Sequence, residues 1–398
     1  MSRHASQTNL RCCARLPLLG AALLSFACGE GSLSPEMAAA QRRPPDLDEP
    51  TDTPAPAAPP PPLSDLGPAD ILFEGEPPAP DVERPASVLS TGFFVSGGRV
   101  YDPFGKEFVF RGLNNAHIWF DTGGRMLALD ALEEIAAYGF NSVRIVWETD
   151  AMNGGATPAL LDTVIGRVLS LGMVPMVELH DVTGDETNER LLDMAEYYTS
   201  AGVIDVLLKW EQMLVVNIAN EWSGDDYFNG YRAAIEHLRG GGVNHLLVID
   251  ANGYGQNAAS VLQNGQALLD ADPQHNLLFS VHMYGNYTGA MGPTRVTNAL
   301  NQAADLGLPL IVGEFGWQAG NQTLRPIDFG HILAECNRHG FGYLPWSWKG
   351  NGGNVTYLDM AMDWPGQELS QWGRDLINDP NGIAATAVPA SFFRAQLQ

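Results

Sequence analysis

The sequence predicts an α/β fold in which eight parallel strands close into a barrel. Short apolar segments of strand-like composition alternate with segments of helical spacing, and strands start about every thirty to forty residues, which suits repeated βα units. Several helical segments end in glycine, as helix C-termini often do. The strand candidates are residues 108–117, 142–147, 174–181, 214–222, 245–252, 277–284, 308–316 and 342–350. This pattern is that of the (β/α)8 TIM barrel.

An open, doubly wound sheet is the alternative α/β fold. It would carry a G-x-G-x-x-G or P-loop motif near its first strand, and this sequence has neither. Two short alternating runs instead flank Ser96-Gly97-Gly98, and a second turn falls at residues 102–105. These turn residues predict a β-hairpin that leads into the first barrel strand.

The first 27 residues resemble a secretory signal. Three arginines precede an apolar run, residues 16–27, that is too short to span a membrane comfortably. Ser25 and Ala27 supply the small residues of a cleavage site, and Cys28 follows in a setting that resembles a bacterial lipoprotein box. The sequence favours lipidation of Cys28, and so attachment to the outer membrane, over plain secretion. In either case we expect an extracellular protein.

Residues 28–90 are rich in Pro, Ala, Asp and Glu and include PAPAAPPPP. Such a segment cannot bury enough apolar surface to offset its ordering entropy, so we expect a disordered Pro-rich linker. A cleaved pro-region is an alternative that the sequence leaves open. The folded domain is expected to span residues 91–398 and to fold without the linker.

Charge and cysteine content narrow the range of partners. The formal net charge of −24 argues against nucleic acid, because binding to phosphates needs a basic surface, whereas a neutral polysaccharide is compatible. Cys12 and Cys13 lie in the predicted signal, so Cys336 has no disulfide partner in the domain and is expected to be a buried residue on a helix. We expect a monomer without a cofactor or a metal.

Polar side chains and indoles end the predicted strands, and in a parallel barrel these ends meet on the face that holds active sites. Glu221 and Glu314 each close an apolar run, and glycosidic bond cleavage needs two carboxyl groups: one protonates the leaving oxygen, and the other attacks or activates water. Each could instead be part of a structural ion pair. The full set of strand-end residues is Asn114, Asn115, His117, Arg144, Trp147, His180, Asp181, Asn220, Glu221, Asn252, His282, Tyr284, Glu314, Trp346 and Trp348.

Seven segments in order strongly resemble glycoside hydrolase family 5, and specifically its bacterial β-mannanase branch: RGLNNAH, NSVRIV, ELHDVTG, VVNIANEW, FSVHMY, IVGEFG and PWSWKGN. The resemblance covers roughly residues 91–390. It implies an endo-acting, retaining hydrolase of β-1,4-mannosidic bonds in mannan, glucomannan or galactomannan that works by double displacement. The segment WETDAMN, after the second strand, departs from the family pattern.

The resemblance implies that Glu221 is the acid/base and Glu314 the nucleophile. Arg144 and Tyr284 would hydrogen-bond Glu314 and lower its pKa so that it stays ionised. A retaining route predicts roughly 5–5.5 Å between the carboxyl groups. The other implied or candidate site residues would bind the 2-hydroxyl (Asn220), orient the carboxylates (His180, His282), form a platform under the sugar (Trp346) or contact substrate (His117).

Three alternative functions remain open. A metal-dependent hydrolase would use histidines and carboxylates at the barrel mouth, but the first strand lacks H-x-H and Arg144 would repel a cation. A cellulase or other β-1,4-glucanase of the same family would differ in its tolerance of an axial 2-hydroxyl. A non-catalytic polysaccharide-binding surface protein would usually have lost one carboxylate, and both are present.

Tryptophans at the strand ends are candidates for stacking on sugars or for packing of the barrel rim. Trp346 and Trp348 lie two residues apart and are expected to share one face of a strand. The other candidates just past strand ends are Trp119, Trp147, Trp222 and Trp317.

Overall fold

The central sheet has eight parallel strands in the computed structural model, which describes residues 66–117, 126–149, 156–320 and 325–394. The strands in these ranges are β1 Phe94–Ser96, β2 Arg99–Tyr101, β3 Gly112–Asn115, β4 Ser142–Trp147, β5 Val174–Leu179, β6 Val215–Asn217, β7 Leu247–Asp250, β8 Leu277–Met283, β9 Leu310–Phe315, β10 Gln318–Ala319, β11 Arg325–Pro326 and β12 Gly342–Tyr343.

The sheet closes on itself. Its strands follow the order β12-β9-β8-β7-β6-β5-β4-β3, with every neighbouring pair parallel. Arg111, just before β3, forms a parallel bridge with Tyr343 of β12, and the Tyr343 amide donates to the Phe110 carbonyl at 3.0 Å. The first and last strands therefore meet, and the predicted (β/α)8 TIM barrel is confirmed.

Helices surround the barrel and bury their apolar faces on it. Thr157 caps the first long helix by accepting a hydrogen bond from Leu160 N, and Pro158 occupies its first turn. Cys336 is buried on a helix, as expected, and burial raises the pKa of its thiol to about 12. The helices are Pro68–Ile71, Leu127–Asp130, Leu132–Ala137, Pro158–Ser170, Asn188–Thr199, Val203–Lys209, Tyr227–Gly240, Ala258–Ala271, Gly292–Asp305, Phe329–His339, Gln371–Asn378 and Ile383–Thr386, with 3-10 turns at His180–Val182, Gly285–Tyr287 and Gly353–Leu358.

The predicted hairpin is present and covers the bottom of the barrel. Strands β1 and β2 are antiparallel, and the turn between them has Gly97 and Gly98 at φ +55° and +76°, which glycine adopts without a side-chain clash. Val95 N donates to Asn276 Oδ1 at 3.1 Å, and Gly98 packs against Gly307. Asn276 and Gly307 precede β8 and β9, so the hairpin lies at the N-terminal ends of the strands.

Residues 66–90, assigned to the linker by sequence, contact the barrel domain. Ile71 is buried, Leu72 forms an antiparallel bridge with Phe393, and Leu89 N donates to Gln274 Oε1 at 2.9 Å. Ordered structure therefore begins before the expected boundary at residue 91. The predicted signal, Cys28 and the linker up to residue 65 lie outside the described residues. Within the described ranges, no helix is long and apolar enough to cross a membrane.

Candidate active site

Arg144 of β4 is the buried centre of a polar network inside the upper part of the barrel. Its Nη1 donates to Glu314 Oε1 and to Asn114 Oδ1, both at 2.9 Å. Its Nη2 donates to Asn220 Oδ1 at 2.8 Å, and its Nε donates to Asn217 Oδ1 at 3.0 Å. A guanidinium is planar and always charged, so these contacts hold it in one orientation and compensate the loss of water.

Four carboxylates surround this one guanidinium. Burial alone would lower the pKa of Arg144, but the negative charges around it raise that pKa above its ordinary value. The pairs that lie in direct contact are formed with Glu314 at 2.9 Å, Asp250 at 3.4 Å and Glu178 at 3.5 Å. The fourth charge is that of Glu221. The network thus balances several buried negative charges with a cation that cannot be neutralised.

Glu221 leaves the barrel wall in a left-handed backbone conformation. Strand β6 ends at Asn217, earlier than predicted, and Glu221 has φ +48°, which is rare for a residue with a side chain. Its amide donates to Asp250 Oδ2 at 3.1 Å, and its carbonyl accepts from Gly184 N at 3.0 Å. Its Oε1 lies 2.7 Å from His282 Nδ1. These contacts fix both the backbone and the side chain of Glu221.

Glu314 lies near the end of β9 and faces Glu221 across the barrel mouth. Tyr284 OH donates to Glu314 Oε2 at 3.0 Å, while Arg144 holds the other oxygen. The preceding Gly313 is required by space, because a Cβ there would lie 2.2 Å from Ser280 Oγ. The GEFG motif therefore combines the carboxylate with the glycine that lets its strand approach β8.

The two carboxyl groups are close together. One oxygen of Glu221, one oxygen of Glu314 and a ring nitrogen of His282 all lie within 4.8 Å of one another. Retaining glycosidases separate their carboxyl groups by about 5–5.5 Å, and inverting ones by about 6.5–9.5 Å to leave room for water. The spacing therefore suits direct attack by one carboxylate on a sugar carbon.

The same three groups could hold a metal ion by distance alone. Two features of the site oppose metal binding. Burial lowers the pKa of His282, but the charges of Glu314, Asp250 and Glu221 raise it to about 9, so its ring is protonated at neutral pH and offers no lone pair. Arg144 also binds Glu314 Oε1 directly. The donor set is thus occupied by cationic partners.

The pKa of Glu314 differs from expectation. Burial raises it to about 7, and the nearby charge of Glu221 acts in the same direction, whereas His282, Arg144 and His180 lower it. Arg144 lowers the pKa of Glu314, as expected, but desolvation outweighs this effect, so the net shift is upward.

Asn220, His180 and Trp346 form a second cluster beside the carboxylates. Asn220 Nδ2 donates to Thr183 Oγ1 at 2.8 Å and lies 3.5 Å from His180 Nε2. His180 Nδ1 is 2.8 Å from Glu178 Oε1, and the imidazole stacks on the Trp346 indole with ring centroids 5.4 Å apart. Six of the seven predicted binding residues, together with both glutamates, therefore belong to one connected region: Arg144, His180, Asn220, His282, Tyr284 and Trp346.

His117 is placed differently. Its Nε2 lies 3.4 Å from Asn115 Nδ2, and Asn115 in turn donates to the Ala128 carbonyl in the helical layer. Burial lowers the pKa of His117 to about 3, so its ring is neutral. These contacts tie His117 to the outer layer rather than to the carboxylate pair.

Most of the candidate tryptophans pack the fold. Trp346 stacks on His180, whereas Trp348 packs on Tyr138, so the expectation that both share a strand face is wrong. The reason is that β12 ends at Tyr343 and the following segment is not extended strand. Trp119 lies outside the described residues. The indole donors of the others bond within the domain: Trp147 to Tyr197 OH, Trp222 to Thr187 O, Trp317 to Tyr357 O and Trp348 to Trp364 O.

Sequence reasoning missed three buried polar residues inside strands: Glu178 of β5, Asn217 of β6 and Asp250 of β7. All three contact Arg144. A detectable signal existed, because each interrupts an apolar run on one of three successive strands. A buried charge is costly unless it is paired, so such interruptions indicate a shared partner inside the barrel.

Comparison with known proteins agrees with this geometry. Residues 101–352 match the family described as Cellulase (glycosyl hydrolase family 5). The chain is 36% identical over 313 residues to a mannan endo-1,4-beta-mannosidase of Salipaludibacillus agaradhaerens, covering 76% of this chain and 96% of that one. It is 34% identical to a mannan endo-1,4-beta-mannosidase of Cellvibrio japonicus, covering 76% of this chain and 70% of that one. A beta-mannanase from Thermomonospora fusca superposes with a TM-score of 0.67 at 34% identity, covering 76% and 99%, and has also been solved as a mannohexaose complex.

Proposed function

Because the chain belongs to glycosyl hydrolase family 5, we propose that it is an endo-acting mannanase, which hydrolyses internal β-1,4-mannosidic bonds of mannan, glucomannan or galactomannan with retention of configuration. The observation that carries the mechanism is the carboxylate pair, whose oxygens lie within 4.8 Å of each other. The similarity to mannan endo-1,4-beta-mannosidases over three quarters of the chain supports the choice of substrate.

In the first step, Glu314 attacks the anomeric carbon while Glu221 protonates the departing glycosidic oxygen. A covalent glycosyl-enzyme and a shortened chain result. In the second step, Glu221 takes a proton from water, which attacks the same carbon and releases Glu314. Two inversions give net retention.

The productive state needs a charge on Glu314 and a proton on Glu221. Arg144 and Tyr284 favour this distribution, because both donate to the oxygens of Glu314. They therefore stabilise the charged form of Glu314 that attacks the sugar. His282 lies against Oε1 of Glu221 and orients that carboxyl group.

Two further groups bind the sugar at the cleavage point. The Trp346 indole serves as a platform under the ring, since a flat aromatic face suits the C–H face of a pyranose. Asn220 binds the 2-hydroxyl, with its amide fixed by Arg144 and Thr183. His117 is proposed as a peripheral substrate contact only.

The division of labour is testable with two variants. Glu314→Ala should abolish turnover, and azide should restore it with inverted configuration, because a small anion can occupy the vacated space. Glu221→Ala should nearly abolish hydrolysis of polysaccharide. The variant should still form the glycosyl-enzyme from an activated aryl glycoside, whose leaving group needs no proton. Trapping with a fluorinated mannoside and peptide mass mapping should label Glu314. A label on Glu221, or inverted product from the wild type, would overturn the assignment.

A parallel assay on mannan, glucomannan, carboxymethyl-cellulose and xylan tests the choice of substrate. We expect release of internal fragments from mannan and glucomannan. Faster hydrolysis of cellulose than of mannan would instead identify a β-1,4-glucanase of the same family. Binding without hydrolysis of any of them would identify a polysaccharide-binding protein.

We also propose that the enzyme is exported and attached to the outer membrane through a lipid on Cys28. The basis is the signal-like segment before Cys28 and the Pro-rich stretch after it. Cys28→Ala should move the protein from the membrane fraction to the medium or block its processing. Unchanged partitioning would contradict a lipid anchor on Cys28.

A further inference from the structure

Asp250 of β7 is a fully buried carboxylate for which the proposed reaction has no role. Its Oδ2 accepts from Glu221 N at 3.1 Å and from Arg144 Nη2 at 3.4 Å, and it lies 3.4 Å from His282 Nε2. Its Oδ1 accepts from Asn217 Nδ2 at 3.3 Å. One side chain therefore joins the groups that hold Glu221 to those that hold Glu314.

We propose that Asp250 is a positioning residue: its carboxylate ties the backbone of Glu221, the guanidinium of Arg144 and the imidazole of His282 together, and so aligns the acid/base with the nucleophile. The inference rests on the proposed function of the site. It adds a residue that touches no substrate and acts through Glu221.

Two independent contacts lead from Asp250 to Glu221. The first is the hydrogen bond to the Glu221 amide, which holds a residue whose φ of +48° needs support from its surroundings. The second runs through His282, since Nε2 faces Asp250 while Nδ1 lies 2.7 Å from Glu221 Oε1. Backbone and carboxyl group of Glu221 are thus fixed from the same point.

The contacts require an acceptor on both oxygens of residue 250. Three neighbouring groups donate to it, a backbone N–H, a guanidinium and an asparagine amide, and the His282 imidazole lies 3.4 Å away. An ionised aspartate only accepts, whereas asparagine of the same shape places an NH₂ group against a donor in either orientation. Asp250→Asn therefore removes the alignment with little change of volume.

The charge of Asp250 also acts on His282. The charged groups that face this imidazole are Glu221 after β6, Asp250 on β7 and Glu314 on β9, with Arg144 of β4 behind Asp250. Because each carboxylate favours the protonated ring, loss of one should lower the pKa of His282.

The kinetic test compares Asp250→Asn with wild type on two substrates. Mannan has a poor leaving group and needs the proton of Glu221, so kcat should fall about 100-fold. A dinitrophenyl β-mannobioside needs no proton for the first step, so kcat/KM should fall about tenfold or less. A merely structural defect would lower both rates by the same factor, and that result would overturn the proposal.

Glu178→Gln is the matched control. It removes another buried carboxylate beside Arg144, but its partner is His180 rather than Glu221 or His282. We expect equal losses on the two substrates. Thermal melting of both variants gives the fraction folded at the assay temperature. A leaving-group effect in Glu178→Gln as large as that in Asp250→Asn would also count against a specific role of Asp250.

An NMR titration provides a readout that does not need activity. The chain has nine histidines, and the His282 signal is identified by its loss in His282→Gln. We expect a lower pKa of His282 in Asp250→Asn than in wild type, and a smaller change in Glu178→Gln. An unchanged pKa would overturn the proposal. Lack of mannan cleavage by the wild type would overturn the proposed function, and the titration would still decide the contact between Asp250 and His282.

Discussion

Glu314 is a residue whose position favours function over stability. Its carboxyl group is fully buried, and burial raises its pKa to about 7. At neutral pH and above, the folded protein therefore bears the cost of a buried charge on Glu314. A residue that must carry charge during catalysis is thus kept where charge is unfavourable.

This gives a prediction for Glu314→Gln. The folded-state pKa lies above the ordinary value of 4.5, so the native state binds more protons than the unfolded state, and wild-type stability falls as pH rises from about 4.5 to about 7. Glutamine is neutral throughout. We expect the stability of the variant relative to wild type to rise between pH 5 and pH 8 by roughly 2.5 kcal/mol, with most of the change below about pH 7.

Urea denaturation at pH 5, 6.5 and 8 measures the difference. Glu236→Gln is the control, because Glu236 lies on the helix surface in an exposed pair with Arg232 and should show no pH-dependent difference. If Glu314→Gln and wild type keep a constant gap from pH 5 to pH 8, Glu314 does not titrate in this range.

The sequence predicted the identity of these residues better than their chemistry. Glu221 and Glu314 could be found because each ends an apolar run within a motif. The direction of the Glu314 pKa could not, because desolvation depends on what the whole barrel packs around it. Asp250 was missed because its partners, Arg144 and His282, lie on other strands and far away in sequence.

The segment that follows β12 is a structural element that local sequence did not predict correctly. Its apolar and aromatic residues predicted a strand over 342–350, but the regular strand ends at Tyr343, and beyond it Leu344 N and Trp346 N each donate one backbone hydrogen bond to β9. The indole of Trp346 is held by side chains of the loop: its Nε1 donates to Asn351 Oδ1 at 2.8 Å, and Asn351 Nδ2 donates to Asp359 Oδ1 at 2.7 Å. Local alternation cannot reveal such a loop.

We therefore expect Asn351→Ala to weaken substrate binding. The change leaves the buried indole N–H of Trp346 without its acceptor, a loss of about 1–3 kcal/mol, and frees the platform to tilt. KM for mannohexaose should rise about tenfold, with a smaller change in kcat. Steady-state kinetics with mannohexaose measure both.

Lys349→Met is the control for this loop. Lys349 pairs with the other oxygen of Asp359 at 2.8 Å from a partly exposed position and does not contact Trp346. Its KM should stay within about twofold, because Asn351 keeps its hydrogen bonds to Trp346 and Asp359 in this variant. Equal effects of the two variants would mean that loop stability, rather than the hold on Trp346, sets KM.

At the scale of the whole molecule, the barrel was predictable and its N-terminal extension was not. Repeated apolar segments indicate the βα pattern over some two hundred and fifty residues, because their spacing can be recognised within short stretches of sequence. Residues 66–90 show no such pattern. Their apolar residues are isolated, and their partners lie far along the chain: Leu72 pairs with Phe393, and Leu89 N donates to Gln274 Oε1 at 2.9 Å.

These contacts predict that a chain of residues 66–398 is more stable than one of residues 91–398. The shorter chain exposes the site of the buried Ile71 and Val88 and loses the pairing of residues 71–73 with the C-terminal segment. Burial of two such side chains stabilises by about 3–6 kcal/mol in total. Urea unfolding of both chains measures the difference in stability. Ile71→Ala in the longer chain should by itself cause a substantial part of the same loss. Coincident unfolding curves would mean that the extension only lies on the barrel, and that the folded domain begins at residue 91 as the sequence suggested.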